Sequence, residues 1–243
     1  EGENIILAGD ISVLRCLNPV MNDAGNRKCR DRTLKFFEII QENFKNVYYL
    51  TGNHESYNFN IDLESEYISK YLPGVIHLND SEVQIDEKTV LLGGSLWTDF
   101  NNENPLTMEV VGHGMNDFKL IYTGENDSLK PEHALEKHRK TMIFLKDAVE
   151  RNKNKKIVIA THHAPSFKGI NRSHGGNNLD YGYATDLSEF ILDNPQIKAW
   201  VFGHTHIQTW FNVGDTVCYS NARGYEGYEK SADYFSFDKW FEV

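Results

Sequence analysis

The residues best suited to chemistry in this chain are gathered in four short motifs. They are Gly9-Asp10, Gly52-Asn53-His54-Glu55, Thr161-His162-His163 and Gly203-His204-Thr205-His206. Five of the chain's 10 histidines lie in the last three of them. Imidazole, carboxylate and amide oxygen together suit a divalent ion such as Mn²⁺, Fe²⁺ or Zn²⁺. The three cysteines, Cys16, Cys29 and Cys218, are far apart in sequence and form no C-x-x-C. They are not placed to build a thiolate zinc site. The glycines allow tight turns in which backbone can approach a ligand closely.

Each motif follows a short apolar run, at residues 4–8, 47–50, 157–160 and 197–202. Such runs read as buried strands. Ligands of open α/β sheets bind beyond the carboxyl ends of the strands, so four strands ending in these motifs define one site. Helices are expected over 31–45, from the spacing of Leu34, Phe37, Ile40 and Phe44, and over 60–72. Another should start at Pro131, with Leu135, His138, Met142, Leu145 and Val149 on one face. A fourth is expected over 186–193 with Thr185 as its N-cap. Further short strands are expected at 75–78, 83–85 and 89–92, and near 207–211, 216–220 and 233–238. Residues 98–130 are polar and rich in glycine, and read as an irregular segment that could cover the site as a lid. Trp97 and Phe100 at its start read as core. The order of elements is that of an α/β fold with helices over the sheet faces.

With these motifs in this order, the chain resembles the calcineurin-like metallophosphoesterases, most closely the small single-domain prokaryotic and phage members. The family pattern runs D-x-H, G-D, G-N-H-[DE], a lone or doubled His, then G-H-x-H. The last four are present here as Gly9-Asp10, Gly52 to Glu55, His162 and Gly203 to His206. The resemblance implies a four-layer α/β/β/α sandwich of two mixed sheets flanked by helices. It implies two divalent ions (Mn, Fe, Zn or Ni, with Mn favoured). Asp10 would bridge them; Asn53, His162 and His204 would complete one position, and His206 would join Asp10 at the other. A hydroxide held between the ions would attack phosphorus, and His54 would protonate the leaving alkoxide as general acid. Of the His pair, His162 matches the family's ligand. Glu55 could orient His54 or serve as an ordinary salt-bridge partner.

No D-x-H occurs in the residues before Gly9. The chain also begins without Met, and the expectation is that a native strand carrying the motif lies upstream of Glu1. Substrate contacts are expected from Arg223, Tyr57 and His163, with Lys168, Arg172 and His174 as further polar candidates in the loop after His163.

Composition sets the outer limits. With 243 residues, 40% hydrophobic and 25% charged, the chain fits one globular domain over 1–243. The net charge of -10 opposes general nucleic-acid binding and leaves a phosphorylated small molecule or nucleotide as substrate. No stretch of 18 apolar residues occurs, so no membrane span is expected. Three cysteines and no visible signal peptide fit a cytoplasmic protein. A non-catalytic binding scaffold on the same fold is the competing function. His54 argues against it, because a scaffold has little use for a proton donor beside metal ligands.

Overall fold

The computed structural model describes residues 2–170, 176–237 and 239–242. Its strands are β1 (Gly2–Ala8), β2 (Phe44–Leu50), β3 (Phe59–Asn60), β4 (Val75–His77), β5 (Ser81–Gln84) and β6 (Thr89–Gly94). They continue with β7 (Ile121–Thr123), β8 (Asp127–Ser128), β9 (Lys156–Thr161), β10 (Ile197–Phe202), β11 (Gln208–Val213) and β12 (Thr216–Asn221). The helices are α1 (Ala24–Asn43), α2 (Glu64–Tyr71), α3 (Phe100–Glu103), α4 (Pro105–Gly114), α5 (Asp117–Leu120), α6 (Pro131–Arg151) and α7 (Ser188–Leu192).

Alternation along the strands builds the layers. In β2, Val47 and Tyr49 face α1 and α2, where they pack with Phe37 and Ile68. Tyr48 and Leu50 face the other way and meet Leu91, Val158 and Ala160 of a second sheet. The opposite face of that sheet, with Leu92, Ile157 and Ile159, packs on Leu145, Ala148 and Val149 of α6 and Ile191 of α7. A register shift in β10 between Ile197 and Ala199 lets Ile197 and Trp200 share the α6 face while Ala199 points between the sheets. The result is the expected α/β/β/α sandwich, corrected in that one of its two large sheets is not mixed. The first sheet, β1-β2-β4, is wholly parallel; the second, β11-β12-β10-β9-β6-β5, is mixed.

Three local expectations are corrected. The first helix starts at Ala24, well before residue 31, because the Asp23 carboxylate caps it by accepting the Gly25 and Asn26 N–H groups. Thr185 does not cap α7, whose N-cap is Leu187; its hydroxyl accepts the Asp99 N–H instead. Lys230–Tyr234 forms a 3₁₀ turn where a strand near 233–238 was expected.

Residues 98–130 are folded. They hold α3, α4, α5 and, with β3, a small sheet in the order β3-β7-β8. Trp97, Phe100, Val111, Met115, Ile121 and Leu135 form the core beneath them. The periodic signal is weak because the helices are short, and Phe100 to Glu103 form one left-handed turn with positive φ throughout. Among the described residues, no helix is long and apolar enough to cross a membrane.

Candidate metal centre and active site

β1 and β2 are parallel neighbours in one sheet, and β9 and β10 in the other. The hydrogen bond from His162, after β9, to the Ala8 carbonyl at the end of β1 brings the carboxyl ends of both pairs to one edge of the sandwich, and each strand delivers one motif. Asp10 follows β1 with a φ of 58°, unusual for a residue with a side chain. Close approach of the loops makes glycine obligatory at two places. A Cβ on Gly9 would lie 2.4 Å from His162 Nδ1, and one on Gly52 would lie 2.3 Å from Asp10 Oδ1.

The tautomer of His162 is set by its surroundings. Its Nδ1–H donates to the Ala8 carbonyl at 2.7 Å. Its Nε2 faces Asn53 Oδ1 at 3.0 Å and Asp10 Oδ2 at 3.4 Å. A backbone carbonyl on the far nitrogen is the usual arrangement behind a metal-bound imidazole. Asn53 Oδ1 also lies 3.1 Å from His204 Nδ1. Asn53, His162 and His204 are 3%, 0% and 7% exposed. Donor atoms of Asp10, His162 and His204 fall within 4.8 Å of one another, and His204 Nε2 is buried without a partner. Two oxygens and two imidazoles thus gather at one place, and a cation that displaced the protons between them would satisfy them together. The residues present fit a divalent metal.

Electrostatics follow the same pattern. Burial opposes the charge on Asp10, yet His162, with help from His54 and His204, pulls its carboxyl well below the usual range. Burial would push the His162 imidazole down. Asp10 and the Ala8 carbonyl override that and hold it up at about 9. Burial, then the neighbouring His162, presses His163 down to about 3. Burial and the two adjacent imidazoles lower His204.

His54 stands beside this cluster and is only half-buried. Its N–H donates to Asp10 Oδ1 at 2.9 Å. Its ring stacks on Tyr57, centroids 4.2 Å apart, and its Nε2 meets the Tyr225 hydroxyl at 3.1 Å. Glu55 does not touch the His54 ring; its carboxylate accepts backbone N–H groups of the loops that carry Asp10 and Asn53.

The remaining expected residues lie at varied distances from the cluster. His206 is outside the Asp10–His162–His204 group, and its Nδ1 faces the Glu229 carboxylate at 3.0 Å. His163 is buried beside His204, with its Nδ1 on the Ser95 carbonyl and its ring stacked on Trp97. Tyr57 lies against His54. Arg223 pairs with the exposed Glu226, two residues before the Tyr225 that reaches His54. Lys168 Nζ donates to the Asn212 carbonyl. Arg172 and His174 lie outside the described residues.

Two site residues, Tyr225 and Glu229, carry no signal in the sequence, and Asp117 stands out there only as one residue of the candidate lid. Asp117 Oδ1 accepts from Asn53 Nδ2 and from the Tyr57 hydroxyl, each at 2.7 Å. Glu229 accepts the Tyr225 N–H at 2.7 Å while holding His206. None of them sits in a spacing pattern, so only proximity in the fold exposes them.

Comparison with known proteins agrees with this geometry. The profile of the calcineurin-like phosphoesterases matches residues 3–208. The chain is 26% identical to an uncharacterised protein of Acanthamoeba polyphaga mimivirus over 224 residues, 85% of this chain and 77% of that one. Its fold is similar to that of the phosphopantetheinyl hydrolase of Mycobacterium tuberculosis, with a TM-score of 0.66 at 13% identity, covering 94% of this chain and 83% of that one. The chain belongs to the calcineurin-like phosphoesterase family, the metal-dependent hydrolases of phosphoester bonds.

Proposed function

We propose that the enzyme hydrolyses a phosphorylated small molecule or nucleotide with two divalent ions, Mn²⁺ favoured, at the Asp10–Asn53–His162–His204 cluster. The observation that carries this reading is Asn53 Oδ1, placed between His162 Nε2 and His204 Nδ1 with the Asp10 carboxylate beside them. His206 joins Asp10 toward the second ion. When bound, the ions polarise the phosphoryl oxygens and lower the pKa of water.

The chain's own residues do the rest. Asp10, fixed by the His54 N–H, sets the spacing of the ligand loops. His54 gives its proton to the leaving oxygen from Nε2, the ring atom turned to the Tyr225 hydroxyl rather than to the ligands. Tyr57 and Tyr225 line the leaving-group side, His163 backs His204, and Arg223 is the arginine candidate for a phosphate oxygen. The whole of 1–243 acts as one phosphoesterase domain, with 98–130 as an insertion covering the site. Its free thiols, Cys16, Cys29 and Cys218, support a reducing, cytoplasmic setting.

The test uses full-length protein stripped by a chelator and reloaded with Mn²⁺, Fe²⁺, Ni²⁺ or Zn²⁺. An aryl phosphomonoester and an aryl phosphodiester are compared as substrates. Hydrolysis should return only with metal, most strongly with Mn²⁺. Equal hydrolysis by stripped protein, or none with any metal, overturns the reading.

A further inference from the structure

The insertion at 98–130 hydrogen-bonds to Asn53 and Tyr57 through one side chain, and the route by which it arrives is legible. β3 leaves the Gly52–Tyr57 loop and pairs in parallel with β7, Phe59 opposite Ile121 and Asn60 opposite Tyr122. The Asn58 N–H donates to the Leu120 carbonyl at 2.6 Å, just before that pairing begins. α5, which directly precedes β7, is thereby pinned beside the loop that carries Asn53, His54 and Tyr57. Ile61, Phe100, Met115 and Ile121 pack under the junction and fix it. Asp117, the first residue of α5, is 1% exposed.

One oxygen of Asp117 takes two donors. Oδ1 accepts from Asn53 Nδ2 and from the Tyr57 hydroxyl at 2.7 Å each, while Oδ2 is buried without a partner. An amide has one donor end and one acceptor end. With its Nδ2 tied to Asp117, Asn53 must turn Oδ1 the other way, toward His162 and His204. The second donor, Tyr57, carries the ring on which His54 stacks. A single carboxylate thus fixes a ligand amide and the platform beneath the proton donor.

We propose that Asp117 is a positioning residue that sets the orientation of the Asn53 amide for metal binding and, through Tyr57, the orientation of the His54 ring. The inference rests on Asn53 belonging to the metal site. Partners behind metal ligands typically change affinity by about 10–100-fold. Asp117 is worth that much here because it holds the Asn53 Nδ2 more closely than the Tyr57 hydroxyl does, at 2.7 Å against 3.4 Å.

The experiment compares Asp117→Ala, Asp117→Asn and Tyr57→Phe with wild type. Two readouts are used: Mn²⁺ affinity of the full-length protein, and the Asn53 side-chain amide signal by NMR in the metal-free protein. Asp117→Ala should weaken Mn²⁺ binding about 10–100-fold and shift the Asn53 amide signal. Asp117→Asn, which keeps an acceptor oxygen, should recover part of that affinity and covers the case in which the alanine variant fails to fold. Tyr57→Phe should leave Mn²⁺ affinity within about twofold but lower turnover of substrates with poor leaving groups, since a general acid matters most there. Wild-type affinity and an unmoved Asn53 signal in both Asp117 variants overturn the inference. So does Tyr57→Phe weakening Mn²⁺ as much as Asp117→Ala, because the loss would then reflect loosening of the whole wall. His162→Ala is the control for the underlying site. If it binds Mn²⁺ as wild type does, the site assignment fails; if it loses Mn²⁺ while the Asp117 variants do not, only the positioning role fails.

Discussion

Glu55 and Asp10 hold each other's loops. Glu55 Oε2 accepts the N–H of Asp10 at 2.8 Å and that of Gly52 at 2.7 Å. Its Oε1 accepts the Ile11 N–H and the Tyr49 hydroxyl. Asp10 in turn accepts the N–H of His54, the residue before Glu55. One fully buried carboxylate therefore ties the end of β1 to the end of β2 and supports the left-handed backbone at Asp10. Burial and the nearby Asp10 charge both push the Glu55 carboxyl up, so the site is built against an electrostatic cost that these donors offset.

Glu55→Gln should be costly for that reason. The amide end of glutamine would face backbone N–H donors and leave at least two of them buried and unpaired. Each unsatisfied donor costs about 1–3 kcal/mol, so a loss of about 2–6 kcal/mol is expected in urea unfolding of the metal-free protein. A change below about 0.5 kcal/mol would show that the loops are held by something else.

Metal binding should release a proton from His162. In the metal-free protein the imidazole is held up at about 9 against an ordinary 6.5, so at neutral pH a proton sits between His162 and the Asp10 and Asn53 oxygens. Metal must displace it. Apparent Mn²⁺ affinity should rise roughly tenfold per pH unit toward about pH 9 and then level off. The sign for stability is the reverse. The raised value stabilises the metal-free fold fully below about 6.5, and that contribution is lost as pH rises through about 9. Calorimetry in buffers of different ionisation enthalpy counts the released protons; a count near zero at pH 7 contradicts this.

His54→Ala should keep its metal and lose rate. General acids contribute about 10²–10⁴-fold, and the loss should shrink for an aryl ester with a good leaving group. Tyr225→Phe removes only the hydroxyl 3.1 Å from Nε2 and should cost far less. If His54→Ala loses bound metal instead, His54 is a ligand and not the proton donor.

Much of the site is legible in the sequence because its ligands are encoded locally. Asp10, Asn53, His162 and His204 each closely follow an apolar strand, and parallel strands end on one edge. The supporting residues are encoded by tertiary contact and carry no local pattern. Asp117 reaches Asn53 across 64 positions, through the β3–β7 pairing of very short strands. Glu55 is legible as part of a motif, but its partners on Asp10, Ile11, Tyr49 and Gly52 depend on how two loops meet. The early start of α1 is hidden by Gly25 and Asn26, poor helix formers that sit in the capped first turn. The 98–130 segment is hidden for a related reason: its helices are too short to show a period, and its apolar core is assembled partly from α6.

The most direct measurement is the anomalous scattering of Mn²⁺ in crystals of the full-length protein. A peak is expected about 2.0–2.3 Å from donor atoms of Asp10, Asn53, His162 and His204. That peak should vanish in His162→Ala crystals grown under the same conditions. A strong Mn²⁺ peak elsewhere in the protein, with none among these four residues, would contradict the assignment of the metal centre.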